Sequence, residues 1–118
     1  MSNLLTRDEI LTAKDIKTED VEVPEWGGTV RVSVMSGTAR DRYESSLVDV
    51  EGKYVALENL RARFVSVCIV DDDGNMLFST DDIKELGKKS ADALDRVFKV
   101  ASVLNGTGIS GLESAAKN

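Results

Sequence analysis

The chain predicts an α+β fold in which one β-hairpin packs against a small bundle of mostly α-helices. Three observations predict it. Valines at 21, 23, 30, 32 and 34 alternate with polar residues around Pro24-Glu25-Trp26-Gly27-Gly28, which is the period and punctuation of a hairpin. Leu94, Val97, Phe98, Ala101 and Leu104 follow a helical stripe that begins after Ser90 and closes at Asn105-Gly106. The length, 118 residues with 42% hydrophobic and 31% charged composition, suits one core and not two. A two-stranded ribbon is marginal alone in water, so helices must cover the valine face.

The elements follow in order. Thr6 and Glu9 have the spacing of a capping box and Leu5 could staple onto Ile10, which predicts a helix from Arg7 to about Lys14. The hairpin spans 21 to 34. Ser36-Gly37-Thr38 offers hydroxyl caps to a surface helix from Ala39 to about Val50, with a narrow stripe of Tyr43, Leu47 and Val50. A turn is expected around Gly52-Lys53. Leu57, Leu60, Phe64, Val67 and Cys68 then mark a central helix. Its second half is rich in β-branched residues and precedes Asp71-Asp72-Asp73-Gly74-Asn75, so a strand over 65–70 is the alternative to the favoured helix. Thr80 caps a short helix from Asp81 to Leu86 with Gly87 as its stop, and Ser90 caps the long helix to Leu104. Residues 1–105 read as one domain, and 106–118, rich in glycine and small residues, as a flexible C-terminal tail.

Composition narrows the chemistry. Fifteen Lys plus Arg against 21 Asp plus Glu give a net charge of −6, a field that repels phosphate backbones and anionic lipid, so neither nucleic acid nor a membrane is an expected partner. With no histidine, His-based nucleophile activation and His-bearing zinc sites cannot be built. The one cysteine, Cys68, lies in the apolar run 64–70 and reads as a small buried hydrophobe. The N-terminus lacks the basic and apolar regions of a signal peptide, which makes the expected location cytoplasmic.

Apparent motifs fail their spacing tests. Placing Gly74 at the sixth position of an EF-hand loop puts Ile69 first and Thr80 twelfth, and neither supplies the carboxylate needed there; an acidic turn accounts for the same residues. Gly106-Thr107-Gly108-Ile109-Ser110-Gly111 matches a dinucleotide fingerprint in letters, yet follows a helix instead of opening one. Asp81 and Asp82 read as helix-terminal charges, and Lys88-Lys89 and Arg61 with Arg63 as solvated faces without aromatics for stacking. No catalytic residue, metal ligand or cofactor is expected, and an interaction protein is. Its candidate partner contacts are Trp26 at the hairpin tip, Tyr43 and Leu47 on the second helix, and Leu94 and Phe98 on the long helix, each of which core packing could also explain.

Three segments carry a family likeness: Leu4-Leu5-Thr6-Arg7-Asp8-Glu9-Ile10, Val21 through Val32 with Pro24-Glu25-Trp26-Gly27-Gly28 at its centre, and Ser36-Gly37-Thr38-Ala39-Arg40-Asp41-Arg42-Tyr43-Glu44. It continues through Asn59-Leu60-Arg61-Ala62-Arg63, Asp72-Asp73-Gly74-Asn75 with Phe78, Leu86-Gly87, Ser90, Leu94-Asp95-Arg96 and Leu104-Asn105. In these the chain resembles the tail assembly chaperones of long-tailed, siphovirus-type bacteriophages and prophages. The resemblance covers positions 4 to about 105 and implies a non-enzymatic protein of virion morphogenesis. Such a protein binds the tape measure protein in the bacterial host cytoplasm, keeps its hydrophobic helices soluble, helps recruit tail tube protein, and can form a homo-oligomer. A small structural tail or head-to-tail protein is the alternative. Members of the family also occur as longer frameshifted products, with which the small-residue tail is compatible.

Overall fold

The computed structural model describes residues 3–53 and 58–106. Its elements are α1 (Arg7–Thr12), β1 (Thr18–Val23), β2 (Gly28–Ser33), α2 (Gly37–Ser46), α3 (Leu60–Cys68), β3 (Ile69–Val70), α4 (Ile83–Leu86) and α5 (Ala91–Asn105), with single 3₁₀ turns at Pro24–Trp26 and Thr80–Asp82. The fold is α+β, as the patterning requires: an antiparallel sheet in the order β1-β2-β3 carries α5 against β1 and β2, and α3 packs on α5.

The hairpin is in register Val21↔Val30 and Val23↔Gly28. It is longer than its valines indicate, since β1 begins at Thr18 and Val34 N–H still donates to Lys17 O at 2.9 Å. The extra residues, Thr18-Glu19-Asp20, are polar because β1 is an edge strand with its start in solvent, so no apolar alternation announces them. Val23 and Val32 are completely buried; Val21 and Val30 pack partly against the same core. Gly27, at φ 72°, closes the 3₁₀ turn in the left-handed region, where a Cβ would strain the backbone.

Three boundaries shift, each for a local reason. α1 stops at Thr12, not Lys14, because Ala13 turns extended while the Thr12 hydroxyl donates to Asp8 O at 2.7 Å. α2 ends at Ser46, not Val50: the Asp49 carboxylate accepts from Glu51 N–H at 2.9 Å and Lys53 N–H at 3.0 Å, and this Asx turn outcompetes further helix. It also forms the turn expected at Gly52-Lys53. The cap before α4 is Ser79, not Thr80; Asp82 Oδ2 accepts from Ser79 N–H at 2.9 Å, and a 3₁₀ turn precedes a helix of only four residues. Over 65–70 both alternatives occur in part, with helix to Cys68 and then Ile69 and Val70 pairing with Val32 and Arg31. Ser90 caps α5 by accepting from Ala93 N–H at 3.1 Å, and the helix ends at Asn105 with Gly106 at φ 63°, as the stripe predicts. Leu57 and the expected tail beyond Gly106 lie outside the described residues.

The core joins Val23 and Val32 of the hairpin, Phe64, Val65, Val67 and Cys68 of α3, and Ala93, Leu94, Val97, Phe98 and Ala101 of α5. Asn105 locks the far end of α5 to the sheet. Its Oδ1 accepts from Met35 N–H at 2.7 Å, and its Nδ2 donates to Ala101 O at 2.8 Å and Ser33 O at 3.4 Å. These half-buried bonds satisfy backbone groups that would otherwise be desolvated without partners.

Candidate functional site

The Pro24–Trp26 turn places Trp26 half-buried beside α5, where the Arg96 side chain donates to Glu25 Oε1 at 2.9 Å and fixes the hairpin tip. The Glu25 carboxyl lies below its ordinary pKa, held there first by its own backbone N–H and then by Arg96. Below the tip opens a cleft of about 490 Å³ with Trp26, Phe78 and Leu86 as its apolar lining, and with Glu25, Asp82, Glu85 and Lys89 around it. Glu25 is paired with Arg96 and Glu85 with Lys88 at 3.0 Å, so the apolar concavity has a rim of mixed charge. Such a cleft can grip an apolar side chain; it offers no nucleophile or acid–base pair.

Tyr43 is half-buried at the head of an aromatic row. Its ring meets Phe64 edge-on at 5.3 Å between centroids, and Phe64 meets Phe98 at 5.3 Å, so α2, α3 and α5 are stacked through three rings. Burial, the largest cause, pushes the Tyr43 hydroxyl pKa up. Leu47 is half-buried at the C-terminal cap of α2, next to Ser46, whose carbonyl accepts from Arg63 at 2.6 Å. Leu94 and Phe98 sit in the core at 5% and 4% exposure, where Arg61 covers the Phe98 ring at 5.8 Å and bonds Asp95 at 2.6 Å. The five sequence candidates thus divide: Trp26, Tyr43 and Leu47 keep accessible surface, and Leu94 and Phe98 hold α5 to α3.

The aspartate loop is a turn that satisfies itself. Asp71 Oδ1 accepts from Asp73 N–H and Asn75 N–H, each at 2.9 Å, and Gly74 stands at φ 84°. Among the described residues no three His, Cys, Asp or Glu side chains converge as a metal cage requires. Burial pushes the Cys68 thiol up to about 12, far from a nucleophile's range. No helix among the described residues is long and apolar enough to cross a membrane.

With this geometry in view, the solved structure of the bacteriophage HK97 tail assembly chaperone superposes on the chain with a TM-score of 0.56, covering 83% of this chain and 96% of that one at 21% identity. The two proteins share a fold. Neither the protein-family models nor the curated protein sequences contain a match to the chain. The shared fold extends over nearly the whole HK97 protein.

Sequence reasoning overlooked two features. Phe78 and Leu86 complete the Trp26 cleft although they lie more than 50 residues away in the chain, a proximity that no local pattern encodes. Leu4, Leu5, Ile10, Leu11 and Ile16 stay 50% to 86% exposed, and the supposed staple of Leu5 on Ile10 leaves both in solvent. The available signal was that α1 is too short and too weakly apolar on any one face to be held by burial.

Proposed function

We propose that the chain is a tail assembly chaperone of a long-tailed bacteriophage or prophage. It binds the tape measure protein in the host cytoplasm, keeps that protein soluble and helps recruit tail tube subunits, with no catalytic step. The observation that carries this reading is the fold shared with the HK97 chaperone over 96% of that protein, which coincides with the family likeness in the sequence. The open apolar cleft at Trp26 suits the task, because a long helical client needs reversible apolar contacts and not a deep enclosed pocket. Residues 1–105 would form the binding domain and 106–118 a tail, with Trp26, Tyr43 and Leu47 as the accessible contacts. Leu94 and Phe98 would join them only where a client displaces α5.

The test is to follow the protein through phage assembly by quantitative mass spectrometry. The chaperone reading expects it in assembling lysates in complex with the tape measure protein and absent from purified virions. Stoichiometric retention in finished particles would instead establish the structural tail or head-to-tail alternative.

A further inference from the structure

We propose that Asn105 is a site of spontaneous deamidation that the docked α5 keeps closed, and that its conversion to aspartate or isoaspartate unlocks α5 from the sheet. Of the five asparagines in the chain only Asn105 precedes a glycine; Asn3 and Asn59 precede leucine, Asn75 precedes methionine and Asn118 is the last residue. Asparagine is a thermolabile residue, and a following glycine, with no Cβ to hinder approach and with free backbone rotation, is the neighbour that opposes its loss least. The reaction needs only water. The Gly106 nitrogen forms a bond to Asn105 Cγ, the Cγ–Nδ2 bond breaks, and Nδ2 leaves as ammonia with the proton that Gly106 gives up. Water then adds to one of the two carbonyls of the resulting succinimide and opens the ring, to aspartate or to isoaspartate.

Both groups of that step are occupied in the folded chain. Gly106 N–H, which must give up its proton, donates to Ser102 O and to Val103 O, the latter at 3.4 Å. The side-chain amide is held by three backbone groups: Oδ1 accepts from Met35 N–H at 2.7 Å, and Nδ2 donates to Ala101 O at 2.8 Å and to Ser33 O at 3.4 Å. Asn105 is the last residue of α5, and ring closure demands a backbone turn there that helical dihedrals do not supply. Attack therefore waits until the end of α5 leaves the sheet, and its rate scales with the open fraction. The product no longer fits the lock. Aspartate keeps an acceptor for Met35 N–H but turns an anionic oxygen toward the Ala101 and Ser33 carbonyls, and it adds negative charge at a helix C-terminus whose partial charge is already negative. Isoaspartate also lengthens the main chain by one carbon at that point. The modification thus records how often α5 has left the sheet.

The test ages the full chain in mildly alkaline buffer, with and without urea, and follows each asparagine by peptide mass spectrometry, with isoaspartyl methyltransferase labelling to identify the branched product. In urea Asn105 is expected to convert ahead of Asn3, Asn59 and Asn75, and Gly106→Ala to slow that conversion at least about tenfold. Without urea the wild type should convert Asn105 at least about tenfold more slowly than in urea. The deamidated fraction, separated by ion exchange, should melt below the unmodified chain and lose amide protection over the last turn of α5, and Asn105→Asp should behave alike. Equal rates with and without urea would overturn the protection by α5. Earlier conversion of another asparagine in urea would overturn the site, and a deamidated chain with unchanged melting and protection would overturn the unlocking. Should Asn105→Asp fail to fold, the aged wild type, which folds before it is modified, decides all three.

Discussion

At the residue scale, burial and not chemistry governs the groups that look reactive. Cys68 is fully buried and its thiol is pushed up to about 12, so a disulfide reagent at neutral pH should label it only as fast as the chain unfolds, and at once in denaturant. The sign of the accompanying pH effect follows from linkage. The folded state keeps the thiol protonated while the unfolded chain releases the proton near 9, so stability is intact below pH 9 and falls by up to about 1.4 kcal/mol per pH unit between 9 and 12. Denaturant midpoints of the wild type and Cys68→Ala across that range check it, the variant showing a shallower fall. Asn105 is the second such residue. Asn105→Ala leaves Met35 N–H and Ser33 O short of a partner and should cost about 1–3 kcal/mol in urea unfolding.

At the element scale, two capped helices should respond oppositely. Ser90 caps α5, whose apolar stripe is core, so Ser90→Ala should lower global stability by about 1 kcal/mol. Thr6 caps α1, which buries nothing, so Thr6→Ala should abolish amide protection over 7–12 in hydrogen exchange and leave the melting temperature unchanged. The Glu9 carboxyl is held low, first by the Thr6 backbone N–H. The cap therefore holds at neutral pH and is lost as pH falls below the ordinary Glu range, which makes α1 the first helix to fray in acid. The aspartate turn gives a third test. Asp71→Ala removes the acceptor of two amides and should destabilise the 71–75 turn by about 1 kcal/mol, with no calcium dependence before or after the change.

These elements also show what was legible beforehand. α5 was readable nearly to the residue because a long stripe, a serine cap and a closing glycine agree. The hairpin was readable from its valines but not its first three residues, since an exposed edge strand needs no apolar alternation. The 65–70 segment resisted because apolar β-branched residues satisfy a buried helix end and a two-residue strand equally well. Trp26 was found from its place beside Pro24 and two glycines, whereas Phe78 and Leu86, which complete its cleft, depend on tertiary proximity that a linear sequence does not carry. The helical stripe through Leu94 and Phe98 identified an apolar face correctly, but only packing could reveal that α3 and the hairpin already cover it.

At the scale of the whole molecule, one core of sheet, α3 and α5 carries an acidic chain whose described surface leaves apolar groups accessible at the Trp26 cleft, at Tyr43 and Leu47 and along residues 4–16. The net charge of −6 disfavours anionic surfaces, and the Trp26 cleft leaves apolar groups open to contact. The most direct test of the central claim is co-expression with the tape measure protein of the same genome, measuring the soluble fraction of that protein with and without this chain. The account predicts a soluble complex that co-purifies through a tag on either partner and dissolves when Trp26 is replaced by Ser; a tape measure protein equally insoluble, or equally soluble, in the presence and absence of the chain would contradict it.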